Sequence, residues 1–283
     1  MSVPAEIARR IAEAVLYEGR PLTPCQARVA EDDRGGRPGA LVPPGCAATT
    51  EPSGSMTECL LERAESATVS LCLRFLHMRN CDVEHVGGDG GPPTPVGTQA
   101  GGGGTYLTFD ETTRREVEAA FPVAVLLGGE RTVEVRVPGD RLAEPVRGPS
   151  GRTEGRVVRE HLPVRAALTV GAERLAGPYG LIRLRVRVRN TTVQAERDAP
   201  REHVLRRSLL SAHLIIGVDG GGFVSLADPP EWARPFAEGC RNEHTWPALV
   251  GEPGHRDVVL SSPVTLSDYP DDLGCSGDEE AIA

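Results

Sequence analysis

The chain has 283 residues, enough to bury a sizeable core without disulfide or metal staples, and its length suggests one or two domains. Its net charge is −9, and all 31 basic residues are arginine, a balance that speaks against general nucleic-acid binding because neutralising phosphates needs a basic surface. No run approaches the roughly 20 apolar residues of a membrane span and MSVPAEIARRIAEAVLYEG lacks a signal-peptide core, so a cytoplasmic protein away from membranes is expected. The seven cysteines (25, 46, 59, 72, 81, 240 and 275) form no CxxC pair and read as reduced thiols.

In chain order, residues 3–18 read as a helix, with Ile7, Ile11 and Val15 on one face and Gly19 as its stop. From 20 to 55 the chain is rich in Pro and Gly, with 40–42 as a short strand. Residues 56–62 and 67–78 read as strands, the second alternating Val69, Leu71, Leu73 and Phe75 with polar neighbours. The composition of 86–104 predicts a flexible Gly/Pro loop. Asp110 is placed to cap a helix ending at Phe121, where Pro122 stops it. Residues 123–127 and 132–137 then suggest a hairpin across a GGE turn.

Strands are expected at 155–160 and 162–170, and next comes the clearest element of all. Ile182, Leu184, Val186 and Val188 alternate with Arg183, Arg185, Arg187 and Arg189, so a strand puts four aliphatics inward and four guanidinium groups outward. Asp198 would cap a helix over 199–214, with Leu205, Leu209, Ala212 and Ile216 at helical spacing. Residues 217–222 form a glycine turn, followed by a strand at 223–227, a helix at 231–241 and strands at 246–250 and 258–266. Together these predict an α+β, β-rich fold: a sandwich-like antiparallel core with a few peripheral helices. It occupies residues 1–270 as a single domain interrupted at 86–104, and 271–283 form an acidic frayed tail.

Three patterns could carry chemistry. The arginine row spans roughly 20 Å and could land an acidic partner, although a solvated face paired with Glu134 or Glu173 is the plainer reading. Cys72, His77, Cys81 and His85 have a spacing loosely like a Cys₂His₂ metal site, yet on one strand Cys72 and His77 point to opposite faces. A site would need a turn near Met78, so buried thiols and exposed imidazoles are preferred. LIIGVDGGG at 214–222 resembles the first phosphate loop of actin-like sugar kinases. Phe223 stands where that family has Thr, and a turn needing positive φ explains the glycines better. His213 reads as a core histidine and Cys59 has no activating neighbours. No catalytic residue and no cofactor are expected.

Several segments together carry a family likeness: IAEAVLYEG (11–19), TECLLE (57–62), LRVRVRNTT (184–192), LRRSLLSAHLIIGV (205–218), FVSLADPP (223–230), TWPALVG (245–251), LSSPV and SDYP. They resemble an uncharacterised actinobacterial family encoded among the structural and maturation genes of [NiFe]-hydrogenases. The resemblance implies a non-catalytic accessory protein whose partner is a hydrogenase subunit or maturation factor. Two alternatives stand beside it: a Cys/His-dependent metal-handling protein or enzyme, and an interaction module that binds an acidic partner through the arginine face.

Overall fold

The fold was analysed in a computed structural model, which describes residues 3–18, 39–46, 50–62, 64–86, 92–101, 104–193 and 197–270. Helix α1 (Val3–Glu13) runs into a π-helical turn at Ala14–Glu18. Strands β1 (Gly54–Glu62) and β2 (Thr68–His85) follow, then three short strands, β3 (Thr94–Val96), β4 (Thr98–Gly101) and β5 (Gly104–Leu107). Next come β6 (Phe109–Pro122), the one-turn helix α2 (Val123–Leu127), β7 (Arg131–Val137), β8 (Asp140–Arg147), β9 (Thr153–His161), β10 (Val164–Arg174) and β11 (Ile182–Asn190). Helix α3 (Arg201–Leu205), β12 (Leu210–Asp219), β13 (Gly222–Val224), α4 (Arg234–Glu238), β14 (Trp246–Leu249) and β15 (Val258–Ser262) complete the order.

Two antiparallel sheets face each other. Sheet I has the order β13-β1-β11-β10-β7, and sheet II the order β14-β15-β12-β2-β9-β8. β2 is the spine of sheet II: β12 and β9 pair in tandem along one of its edges, while β6 and β3 pair with it separately. The core lies between the sheets. β2 supplies Val69, Leu71, Leu73 and Phe75, and β11 answers with Ile182, Leu184, Val186 and Val188. The α+β, β-rich sandwich expected from the alternation is therefore the fold observed. Helix α1 covers the other face of sheet II, seating Ala8, Ile11 and Ala12 on Cys72, Ile215, Val258 and Leu260. No helix among the described residues is long and apolar enough to cross a membrane.

The sequence expectations fail in several places. Residues 109–122 are a strand, not a helix, because Thr113, Val117 and Phe121 recur every fourth residue, a spacing that satisfies both periods. Pairing along β2 decides the matter. The adjoining 123–127 segment is one helical turn, so no hairpin forms with 132–137. The helix expected over 199–214 stops at Leu205, and β12 follows. A bulge between Leu210 and His213, with Ser211 at φ 50°, shifts the strand's phase and makes its apolar residues look helical. Residues 40–42 form only a bridge from Leu41 to Leu209. Within 86–104 the described residues include β3, β4 and the first residue of β5; 87–91 and 102–103, like the acidic tail 271–283, lie outside the described residues.

Candidate functional site

The arginine row lies on the outer face of sheet I, and the strand alternation places it as expected. It is not, however, uniformly solvated. Glu58 of β1 stands opposite Arg185 in the ladder and is 1% exposed. Arg185 Nε donates to its Oε1 at 2.6 Å, Arg183 Nε lies 3.7 Å from its Oε2, and the Arg241 backbone N–H donates to Oε2 at 2.8 Å. Arg183 also approaches Glu173 at 3.8 Å, and Arg187 donates to Glu130 at 3.0 Å. Glu173 is thus a partner of the row, whereas Glu134 pairs with Arg136. Helix α4 and its flanking loops cover one end of the face, packing Ala233 and Ala237 on Leu60 and Leu181. Side-chain exposure accordingly climbs from 20% at Arg183 to 36% at Arg187, and Arg189 is open. Among the described residues Arg189 and the exposed Arg165 have no ion pair, and Arg165 sits directly across the ladder from Arg136.

The Cys/His spacing meets a different fate. Cys72, His77, Cys81 and His85 all lie on β2, which continues through Met78 without the turn a tetrahedral site would require. At about 3.3 Å per residue, His77, Cys81 and His85 stand roughly 13 Å apart from one to the next. Cys72 points the other way, under α1, beside Glu116 and Glu118. The Arg9 guanidinium already occupies that group, 2.9 Å from Glu116 and 3.3 Å from Glu118. Burial pushes the Cys72 and Cys81 thiols up to about 11 and raises Cys59 further, so none is poised as a thiolate. All five described cysteines are free.

Two buried polar clusters hold the most unusual geometry. One lies under α1, where the π-helical turn carries Tyr17 and the β12 bulge carries His213. Their rings meet edge to face at 5.8 Å, with Arg74 behind them. His213 Nδ1 donates to the Ser211 carbonyl at 2.8 Å, and burial lowers the imidazole to about 4, keeping it neutral. Tyr17 is pushed up to about 12, again by burial. Tyr17 Oη, His213 Nε2 and Arg74 Nη1 are all buried without a hydrogen-bond partner.

The second cluster sits where the chain passes between the sheets, at β7–β8 and β9–β10. His161, at the end of β9, donates from Nδ1 to Asp140 Oδ1 at 2.9 Å, and its Nε2 lies 3.0 Å from Thr113 Oγ1 on β6. His77 packs against it with ring centroids 4.8 Å apart and donates from Nε2 to the Leu162 carbonyl at 2.8 Å. His77 is buried, not exposed as its spacing suggested, because it sits under the passage between the sheets, and desolvation lowers it to about 4. The hydrogen bond from His161 holds Asp140 below its ordinary value. Arg115, two residues beyond Thr113 on the same side of β6, keeps a buried Nε without a partner.

Sequence reasoning singled out His77 and His213 but missed Tyr17, Glu58, Thr113, Asp140 and His161. These residues gather from distant strands, and no local spacing announces them. The glycine turn is structural: Gly220 has φ 86°, and a Cβ on Gly221 would stand 2.9 Å from Ala64 Cβ. Asn190 of the NTT sequence is buried, donating to the Leu41 and Arg207 carbonyls. A scan against protein-family models finds no match to this chain, and a search of curated proteins finds none either.

Proposed function

We propose that this chain is an accessory protein that works by binding, in the assembly or maturation of a [NiFe]-hydrogenase in the cytoplasm, the setting implied by its family resemblance. The observation that carries the binding role is the open end of the arginine face. Arg183 and Arg185 are committed to the buried Glu58, while Arg189 and Arg165 have no acid of their own among the described residues. In a chain of net charge −9, an unneutralised basic end suits an acidic surface on a partner. The spread of Cys72, His77, Cys81 and His85 along one straight strand favours this role over metal handling.

The test is a pull-down with tagged protein co-expressed with a [NiFe]-hydrogenase large subunit and its maturation factors. A hydrogenase component should be retained at low salt and released as salt rises, because exposed charges are screened. Arg165→Glu combined with Arg189→Glu should leave the fold intact and abolish retention. Recovery of no hydrogenase component would overturn the setting. Undiminished retention by the folded double variant would overturn the arginine face as the docking site.

A further inference from the structure

The corner cluster contains a hydrogen-bonded chain for which the binding role has no use. We propose that Thr113, His161 and Asp140 form a nucleophile–base–acid relay that hydrolyses small carboxylic esters. The His161 tautomer sets the roles. The Asp140 carboxylate takes the Nδ1 proton of His161 as a hydrogen bond at 2.9 Å, which leaves the Nε2 lone pair facing the Thr113 hydroxyl at 3.0 Å. That is the arrangement a hydroxyl nucleophile needs: a base within hydrogen-bond reach, oriented by a third group. The three residues come from β6, β9 and β8, so regular strands of sheet II hold them in place.

The surroundings fit the chemistry. His161 is 5% exposed, while Thr113 is half-buried and the Asp140 side chain is 66% exposed, so a packed base meets a hydroxyl that solvent can approach. Arg115 follows two residues later on the same side of β6, and its guanidinium charge acts on Asp140 and His77. His77 is a positioning residue. It supports the His161 ring from one side.

In the first step Thr113 Oγ1 attacks the acyl carbon and its proton passes to His161 Nε2. The imidazolium then faces the Asp140 carboxylate. The ester C–O bond breaks, the alkoxide takes the Nε2 proton, and the alcohol leaves an acyl-threonine. Water then attacks through the same base, releasing the carboxylic acid and restoring Thr113. The cycle involves no change of oxidation state.

This activity is independent of the binding role, and either can fail without the other. The full chain is assayed with p-nitrophenyl acetate, and acetylated peptides are sought by mass spectrometry after acid quench. The absence of lysine removes the commonest background acceptor. The protein should release p-nitrophenol faster than buffer, with acetyl on Thr113. Thr113→Ala and His161→Gln should each lower the rate about 10²-fold, the size of a general-base contribution, and Thr113→Ser should retain it. Where His161→Gln does not fold, the Thr113 pair decides, because its half-buried hydroxyl is removed or kept with little change in packing. Equal rates for the parent and folded Thr113→Ala, or acetyl found only at other residues, would overturn the relay.

Discussion

Both sheets carry guanidinium–carboxylate pairs on their outer faces, and they bury opposite partners. On sheet II the cation is enclosed: Arg74 is 3% exposed beneath α1, donating to Glu13 and Glu116 at 2.8 Å each, while both carboxylates reach solvent. On sheet I the anion is enclosed: Glu58 is buried, and its arginines extend outward. Desolvating a charge costs several kcal/mol, and what matters after a substitution is which charge is left in the dark. The same kind of ion pair should therefore respond in opposite senses on the two faces.

Acid should give the largest effect, and it should act on sheet II. His77 and His213 lie on opposite faces of that sheet, both lowered to about 4 by burial. An unfolded histidine takes up its proton near pH 6.5, so between pH 6.5 and 4 the unfolded chain binds more protons than the folded one. The stability these groups contribute is complete above pH 6.5, falls as pH drops to about 4, and then levels off. The loss should reach roughly 3 kcal/mol per histidine. Hydrogen exchange should show β2 and β12 opening before β10 and β11. A stability profile flat across that window would break the picture.

Next in size is Arg185→Ala. It leaves Glu58 buried with only the longer Arg183 contact and one backbone N–H, and should cost about 3 kcal/mol in urea unfolding. Arg74→Met sharpens the contrast. The carboxylates it abandons can hydrate, and the methionine keeps much of the packed stem, so about 1 kcal/mol is expected in the same assay. A larger loss for Arg74→Met than for Arg185→Ala would reverse the argument. Arg187→Gln should be smallest, under about 0.5 kcal/mol, since both Arg187 and Glu130 reach water.

The sequence makes plain whatever depends on one strand's own alternation. β11 declares its buried face, and so do β2 and β10, because a period of two is local information. β12 does not, since one bulged residue at Ser211 breaks the phase. β6 does not, since threonine, valine and phenylalanine at intervals of four fit a helix equally well. The polar sites were harder still. His161 meets Asp140 and Thr113 only after three strands have found their places, and Glu58 looks like any exposed acid until α4 and its flanking loops fold over sheet I. The arginines were visible, but their division into committed and open members depended on that cover.

The tandem pairing along β2 also shapes how the chain must be made. β2 leaves the ribosome more than a hundred residues before β12, its neighbour over the core half. At about 5–20 residues per second, synthesis takes roughly 6–25 s to reach it. During that time Leu71, Leu73 and Phe75 lie on a strand with one long edge unpaired, a template for association with other nascent chains. β6 arrives much sooner and can pair with β2 from Thr68 to Cys81, its charged side chains shielding the young ribbon. The assembly is dominated by contacts remote in sequence, which sets a slow folding rate and makes early holdase protection valuable to the growing polypeptide.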